Sequence, residues 1–208
     1  MAKGPEIQCV TDGNDKRFTY KVTMERYGEA MRHGFYLEAL LINGALIEDR
    51  LRSYLFHLGV FSLREDRKAY EFVSSKLVMM PGAKVDKNTG LLKVDTLESM
   101  IAAIRATVKW YEKTESAPKD MFLDSLWSQY SKYVSASELG DTLKKLGRWK
   151  RYRNETIHGL LHKHVESLDD GLVKKCDEGY ALFRELDSYV ECVSRNGRIR
   201  DSIAFTSD

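Results

Sequence analysis

Three residue types able to act together on a phosphate stand close to one another late in this chain, in the segment Arg153-Asn154-Glu155-Thr156-Ile157-His158. Histidine exchanges a proton near neutral pH and so serves as a general acid or base. Arginine grips a phosphate through two parallel N–H bonds and stabilises the charge that develops in phosphoryl transfer. Asparagine can orient either of them. If the segment is helical, Asn154 and His158 are four apart and share a face. Arg153 is five residues before His158, about 140° around the helix. One straight helix therefore does not aim Arg153 and His158 at the same atom. Convergence needs Arg153 at a looser helix start, or a second chain related by a twofold axis.

The segment lies in an unusual charge environment. The whole chain carries a formal net charge of only +2. Between Lys144 and Lys163, however, seven bases (Lys144, Lys145, Arg148, Lys150, Arg151, Arg153, Lys163) face a single acid, Glu155. That window is +6, which leaves −4 for the rest, and such asymmetry suits a polyanionic partner. Trp149 and Tyr152 interleave with Arg148, Lys150 and Arg151. Aromatics among bases can stack on unpaired nucleobases, or they can pack into the protein, and both uses fit the sequence. Arg148, Trp149, Lys150, Arg151 and His162 form the candidate RNA-contact set. Glu155 either faces solvent or tunes His158.

Other chemistries find less support. His158, His162 and Glu166 recur at four-residue intervals, but no cysteine joins them, and no metal or other cofactor is expected. The three cysteines, Cys9, Cys176 and Cys192, are odd in number and lack CxxC spacing, so neither a disulfide framework nor a zinc ribbon is expected. No glycine-rich phosphate loop, paired-carboxylate site or recognisable Ser/His/Asp set stands out. No apolar run reaches the roughly 18 residues of a membrane span, and residues 1–10 lack the pattern of a secretory signal. A cytoplasmic protein is the expectation.

The elements that must hold the segment are helical. With 208 residues, 43% of them hydrophobic, and three prolines, the chain can build one all-α domain, a bundle of four to five core helices with additional short helices. Residues 1–22 read as an irregular arm, 23–196 as the domain, with 62–94 an insertion, and 197–208 as a flexible tail. A long helix is expected from about Met24 to Leu58, with Leu37, Leu40, Leu41, Gly44, Ile47, Leu51, Leu55 and Leu58 on one broad arc and Gly59 as its cap. A helix is possible over Glu65–Met80, followed by turns at Pro81-Gly82 and at 86–90. Another starts near Asp95 or Thr96, and Pro118 stands in the first turn of the next. Ser137 heads a short segment that Gly147 ends or bends. Arg148 to His164 is a basic helix, and a last helix starts at Ser167 or Asp169 and stops at Asn196-Gly197. Glu48 lies within the apolar arc of the first long helix, where a carboxylate needs a partner. Arg52, one turn on, and Arg153, across the bundle, are both candidates.

Arg153-Asn154-Glu155-Thr156-Ile157-His158 resembles the RX4–6H motif of the HEPN superfamily, in which a polar residue, often Asn, follows the Arg. The layout is similar too, with a long early helix at Tyr36–Leu51, the motif late in the chain, and a long closing helix. The likeness covers roughly residues 24–60 and 95–195. It implies a metal-independent endoribonuclease in which two copies bring their motifs into one cleft and a ribose 2′-hydroxyl attacks the adjacent phosphate. Carried over, His158 is the acid or base, Arg153 binds the scissile phosphate, Asn154 positions both, and Glu48 orients Arg153. It also implies RNA as a partner, a homodimer with a composite active site, and a toxin or phage-defence role with a cognate antitoxin or regulatory partner. In some toxin members a tyrosine stands two residues after the His, whereas here that residue is Leu160. The alternatives are a non-catalytic HEPN-like module that binds RNA, nucleotide or protein, and a helical assembly protein with no nucleic-acid role.

Overall fold

The computed structural model describes residues 13–60, 67–159, 171–196 and 199. Within them the chain is all-α. Seven helices follow in order: α1 (Gly13–Arg32), α2 (Tyr36–His57), α3 (Arg67–Leu77), α4 (Leu97–Glu112), α5 (Met121–Lys132), α6 (Ala136–Gly159) and α7 (Leu172–Asn196). A single isolated bridge, Val85 to Leu92, is the extent of β pairing among these residues. None of the described helices is long and apolar enough to cross a membrane.

The expected long helix from Met24 to Leu58 is two helices, and the expected irregular arm is helical from Gly13. The break is a cap built on Gly34, whose φ of +76° suits glycine because no Cβ meets the following carbonyl. Phe35 donates its N–H to Ala30 O at 2.8 Å, and Gly34 to Met31 O at 3.4 Å, the paired bonds of a Schellman stop. The chain then doubles back, because Tyr20 of α1 reaches Asp49 of α2 with a 2.7 Å hydrogen bond. Apolar periodicity runs through the turn, which is why the sequence reads as one helix. Gly59, φ +80°, ends α2 in the same way, with Val60 N–H on Leu55 O at 3.0 Å.

Helices α2 and α7 form the centre. Leu40, Ile47, Leu51 and Leu55 of α2 are fully buried, as are Cys176 and Val193 of α7. Leu41, placed on the buried arc by its spacing, is exposed instead. Arg50 ties three helices together. Its guanidinium lies 4.3 Å from the Tyr20 ring centroid and pairs with Asp187 at 3.0 Å and Asp49 at 2.6 Å. A second polar junction is fully internal. Tyr54 donates to Tyr130 at 3.3 Å, and Tyr130 shares a 2.5 Å hydrogen bond with Thr107. Burial pushes the Tyr130 phenol up to about 12 and Tyr54 well above its ordinary value, so both hydroxyls keep their protons and the network stays joined.

Within the 62–94 stretch, the described residues 67–94 pack into the domain. Val73, Leu77, Met80 and Leu92 are buried with the main core, and Leu92 N–H donates to the buried Ser74 hydroxyl. Helix α4 starts as expected at a capping box, with Thr96 and Ser99 bonding each other's backbone N–H. Asp120 caps α5, so Pro118 lies before that helix rather than in its first turn. Helix α6 runs unbroken through Gly147, and Ser135, not Ser137, stands at its start, accepting from Glu138 N–H at 3.5 Å. Glycine inside a helix costs about 1 kcal/mol relative to alanine. Burial of Leu139, Leu143, Leu146 and Trp149 on either side of Gly147 outweighs that. The expected start of the last helix at Ser167 or Asp169 lies outside the described residues, as does the tail except for Ile199, which is buried.

Candidate functional site

Helix α6 carries two stripes. Leu139, Leu143, Leu146, Trp149, Arg153 and Thr156 follow at helical spacing, and five of these six are buried. Arg153 is the exception, a half-buried charge in an otherwise inward row. About a third of a turn away, Gly147, Lys150, Arg151, Asn154 and His158 form the second stripe. This one lines a cleft of about 650 Å³ facing α4, with Glu155 at its edge. The opposite wall is Glu98, Ile101, Ala102, Arg105, Ala106 and Lys109 of α4, and Pro81, Gly82 and Lys84 close one end. The turn that opens at Pro81-Gly82 thus supplies one end of the cleft.

The cleft is strongly cationic. Five cations (Lys84, Arg105, Lys109, Lys150, Arg151) face two carboxylates, Glu98 and Glu155. Its floor is the small apolar surface of Ile101, Ala102 and Ala106, and among the described residues no Phe, Tyr or Trp lines it. Arg105 is anchored by an Nη2 bond to Leu143 O at 3.0 Å, which joins α4 to α6. Its Nε is buried without a hydrogen-bond partner. Gly147 lies beside it, where a Cβ would make only an ordinary contact with Arg105 Nη2 at 3.7 Å. Glu98 bridges Lys84 at 2.5 Å and Lys150 at 2.9 Å. Hydrogen bonds from these two ammonium groups hold its carboxyl down at about 2. Arg151 and Lys109 are exposed and have no ion-pair partner among the described residues. His158 is exposed on the cleft and Asn154 is half-buried beside it. The cleft thus offers a group able to move a proton, an amide able to orient a ligand, and unpaired cations able to hold an anion.

Arg153 is not in the cleft. It faces α2, where Gly44 makes room for it: a Cβ on Gly44 would lie 2.9 Å from Arg153 Nε and 3.1 Å from Cζ. The Arg153 Nε is buried and has no hydrogen-bond partner. The helical angle between Arg153 and His158 is therefore kept, and one chain does not bring the two side chains together. This packing makes a double-mutant prediction. Gly44→Ala gains helix propensity of about 1 kcal/mol but must displace a half-buried guanidinium, so in the wild type it is expected to destabilise by about 1 kcal/mol. In an Arg153→Ala background the obstacle is gone, and the same change is expected to stabilise by about 1 kcal/mol. Urea unfolding of the four proteins measures this, and equal effects in both backgrounds would contradict the contact.

The other sequence candidates sort unevenly. Glu48 pairs with Arg52 at 2.8 Å, both half-exposed, so the neighbour one turn on, rather than Arg153, is its partner. Trp149 drops out of the RNA-contact set. It is 2% exposed, its indole N–H donates to Lys175 O at 2.8 Å, and no base can reach it. Tyr152 is half-buried under Lys175, whose ammonium lies 5.2 Å from the ring centroid. The basic window is also partly neutralised within the chain. Lys144 pairs with Asp141, Lys145 with Glu185 and Lys150 with Glu98. Arg148 and Arg151 are exposed. His162, Lys163 and Glu166 lie outside the described residues. Among those described, no group of three His, Cys, Asp or Glu residues is arranged to hold a metal ion.

Lys84, Arg105 and Lys109 were not among the sequence candidates. Arg105 and Lys109 are four apart on α4, the spacing of one helix face, and that was the signal available. Lys84 had none, because its place depends on how the 81–94 turn folds against α4. Compared with protein-family models, with curated proteins and with solved structures, the chain finds no match.

Proposed function

We propose that this protein is an endoribonuclease of the HEPN type, working without a metal on RNA held in the α4/α6 cleft. The observation that carries the reading is the cleft itself. It combines an exposed histidine, an adjacent asparagine and unpaired cations in a space of about 650 Å³, a size typical of small-molecule sites. In the proposed reaction His158 takes the proton of a ribose 2′-hydroxyl as its oxygen attacks the adjacent phosphorus. The bond to the 5′-oxygen breaks, that oxygen takes a proton from water as it leaves, and a 2′,3′-cyclic phosphate remains. Asn154 positions the phosphate, and Arg151, Lys109 and Arg105 hold the strand. Since Arg153 and His158 of one chain face different ways, the arginine of this scheme is Arg153 of a second copy in a homodimer. A toxin or defence role, with an antitoxin or regulatory partner, belongs to the same proposal.

A second reading has its own support. Arg153 is packed against Gly44 with its Nε buried, which suits a bundle that binds RNA or a nucleotide and does no chemistry. The two readings separate when binding and cleavage are measured on one RNA in EDTA. Salt-sensitive binding with strand loss supports the nuclease, whereas salt-sensitive binding with the strand intact supports the binding module. Absence of binding at low salt removes both.

A further inference from the structure

The triad Lys84–Glu98–Lys150 lies across the cleft and has no part in the scheme above. The two lysines come from different segments, the 81–94 turn and α6, and they hold different oxygens of one carboxylate. Lys84 Nζ is 2.5 Å from Oε1 and Lys150 Nζ is 2.9 Å from Oε2. Two ammonium groups converging on two oxygens of one anion is also the way a phosphate is held. Lys150 is the more enclosed, with its side chain 20% exposed, while Glu98 is 59% exposed. Glu98 can therefore swing out to water without unpacking anything, and the enclosed Lys150 stays behind.

We propose that Glu98 is an internal stand-in for a ligand phosphate, occupying a two-lysine subsite that a phosphate group takes over when the ligand enters the cleft. The inference rests on the RNA reading only in naming that group a backbone phosphate. Ion pairs this exposed are weak and screened by salt, so a phosphate delivered by a ligand already held in the cleft by Arg151, Lys109 and Arg105 displaces the carboxylate readily. Protonation does not, because the carboxyl stays ionised far below neutral pH. The subsite opens by competition between anions. While empty of ligand, it keeps two cations from attracting anions indiscriminately and fixes the 81–94 turn against α6.

The test uses a short, fluorescein-labelled 2′-O-methyl oligouridylate, which lacks the attacking hydroxyl and so is bound without being cut. Glu98→Gln is expected to bind it on the order of tenfold more tightly than wild type at low salt. The salt dependence should steepen by about 0.7 in log–log slope for each lysine newly engaged. Unchanged or weaker binding by a folded Glu98→Gln protein would overturn the proposal, because a carboxylate serving only as a clamp would give that result. A second measurement leaves Glu98 in place: reductively ¹³C-methylated wild type is titrated and the Lys84 and Lys150 methyl signals are followed. Their movement with the oligonucleotide supports the subsite, and their indifference to every phosphate probe overturns it. Movement with inorganic phosphate but not with the oligonucleotide supports the subsite and counts against the RNA reading.

Discussion

His158→Ala is expected to reduce RNA cleavage by a factor of about 10² to 10⁴, the usual contribution of a positioned acid or base. The fold should hardly notice. His158 is exposed on the rim of the cleft near the described end of α6, and surface substitutions of this kind change stability by about 0.5 kcal/mol or less. Binding should also survive, because the proposed scheme assigns the anion to Arg151, Lys109 and Arg105. The variant is therefore expected to bind RNA with near wild-type affinity and leave it intact. Gel assays of cleavage beside fluorescence anisotropy of binding check this. Cleavage at the wild-type rate by folded His158→Ala would remove the histidine from the chemistry. A parallel loss of binding and cleavage would make it a ligand contact only.

Trp149→Ala is expected to cost about 3–5 kcal/mol of stability, the range for deleting a large buried aromatic. The indole sits between α6 and α7 with 2% of its surface exposed and donates to Lys175 O. Its ring lies so close to Gly179 that a Cβ there would be 2.7 Å from Cζ2 and 2.8 Å from Cε2. These are atoms of a rigid, buried ring and cannot yield as a flexible side chain would. Gly179→Ala should accordingly cost about 1–3 kcal/mol through overpacking, although alanine is the better helix former. Combined with Trp149→Ala, the glycine substitution should lose most of its penalty, since the two sites act through one contact. Denaturant midpoints measure both effects. A Trp149→Ala protein of wild-type stability with weakened RNA binding would return Trp149 to the nucleic-acid surface.

Why the charge and aromatic patterns were read only in part follows from where each residue's neighbours come from. The helices themselves are written in local periodicity: the cap at Thr96, the stop at Gly59 and most of the inward row of α2 follow from spacing, with Leu41 the exception. The break at Gly34 could not, since the apolar rows of α1 and α2 run past it in phase. Trp149 is the clearest failure of local reading. Four bases surround it in sequence (Arg148, Lys150, Arg151, Arg153), yet its position places it on the inward row with Leu146 and Thr156. Counting in steps of three and four would have buried it. The same count puts Arg153 on that inward row and Asn154 and His158 on the cleft row, so the separation of Arg153 from His158 was legible. Gly44 was legible as part of an arc but not as the space that receives Arg153, because that pairing joins residues over a hundred positions apart. The cleft's α4 wall and the Lys84–Glu98–Lys150 bridge are long-range in the same way.

The basic window also shows why formal charge overstates a surface. Three of its seven cations are paired with carboxylates of the same chain, and a fourth, Arg153, is packed on α2. The charge available to a ligand is instead assembled from two helices. Arg151 comes from α6, and Arg105 and Lys109 come from α4. The α4 pair falls outside the basic window altogether.

The most direct test of the central claim is incubation of the purified wild-type protein with RNA in excess EDTA, followed by analysis of the new 3′ ends. The account predicts cleavage that persists in the chelator, leaves 2′,3′-cyclic phosphates, and disappears in His158→Ala. Intact RNA under conditions where the protein demonstrably binds it, or cleavage that the His158→Ala protein performs equally well, would contradict it.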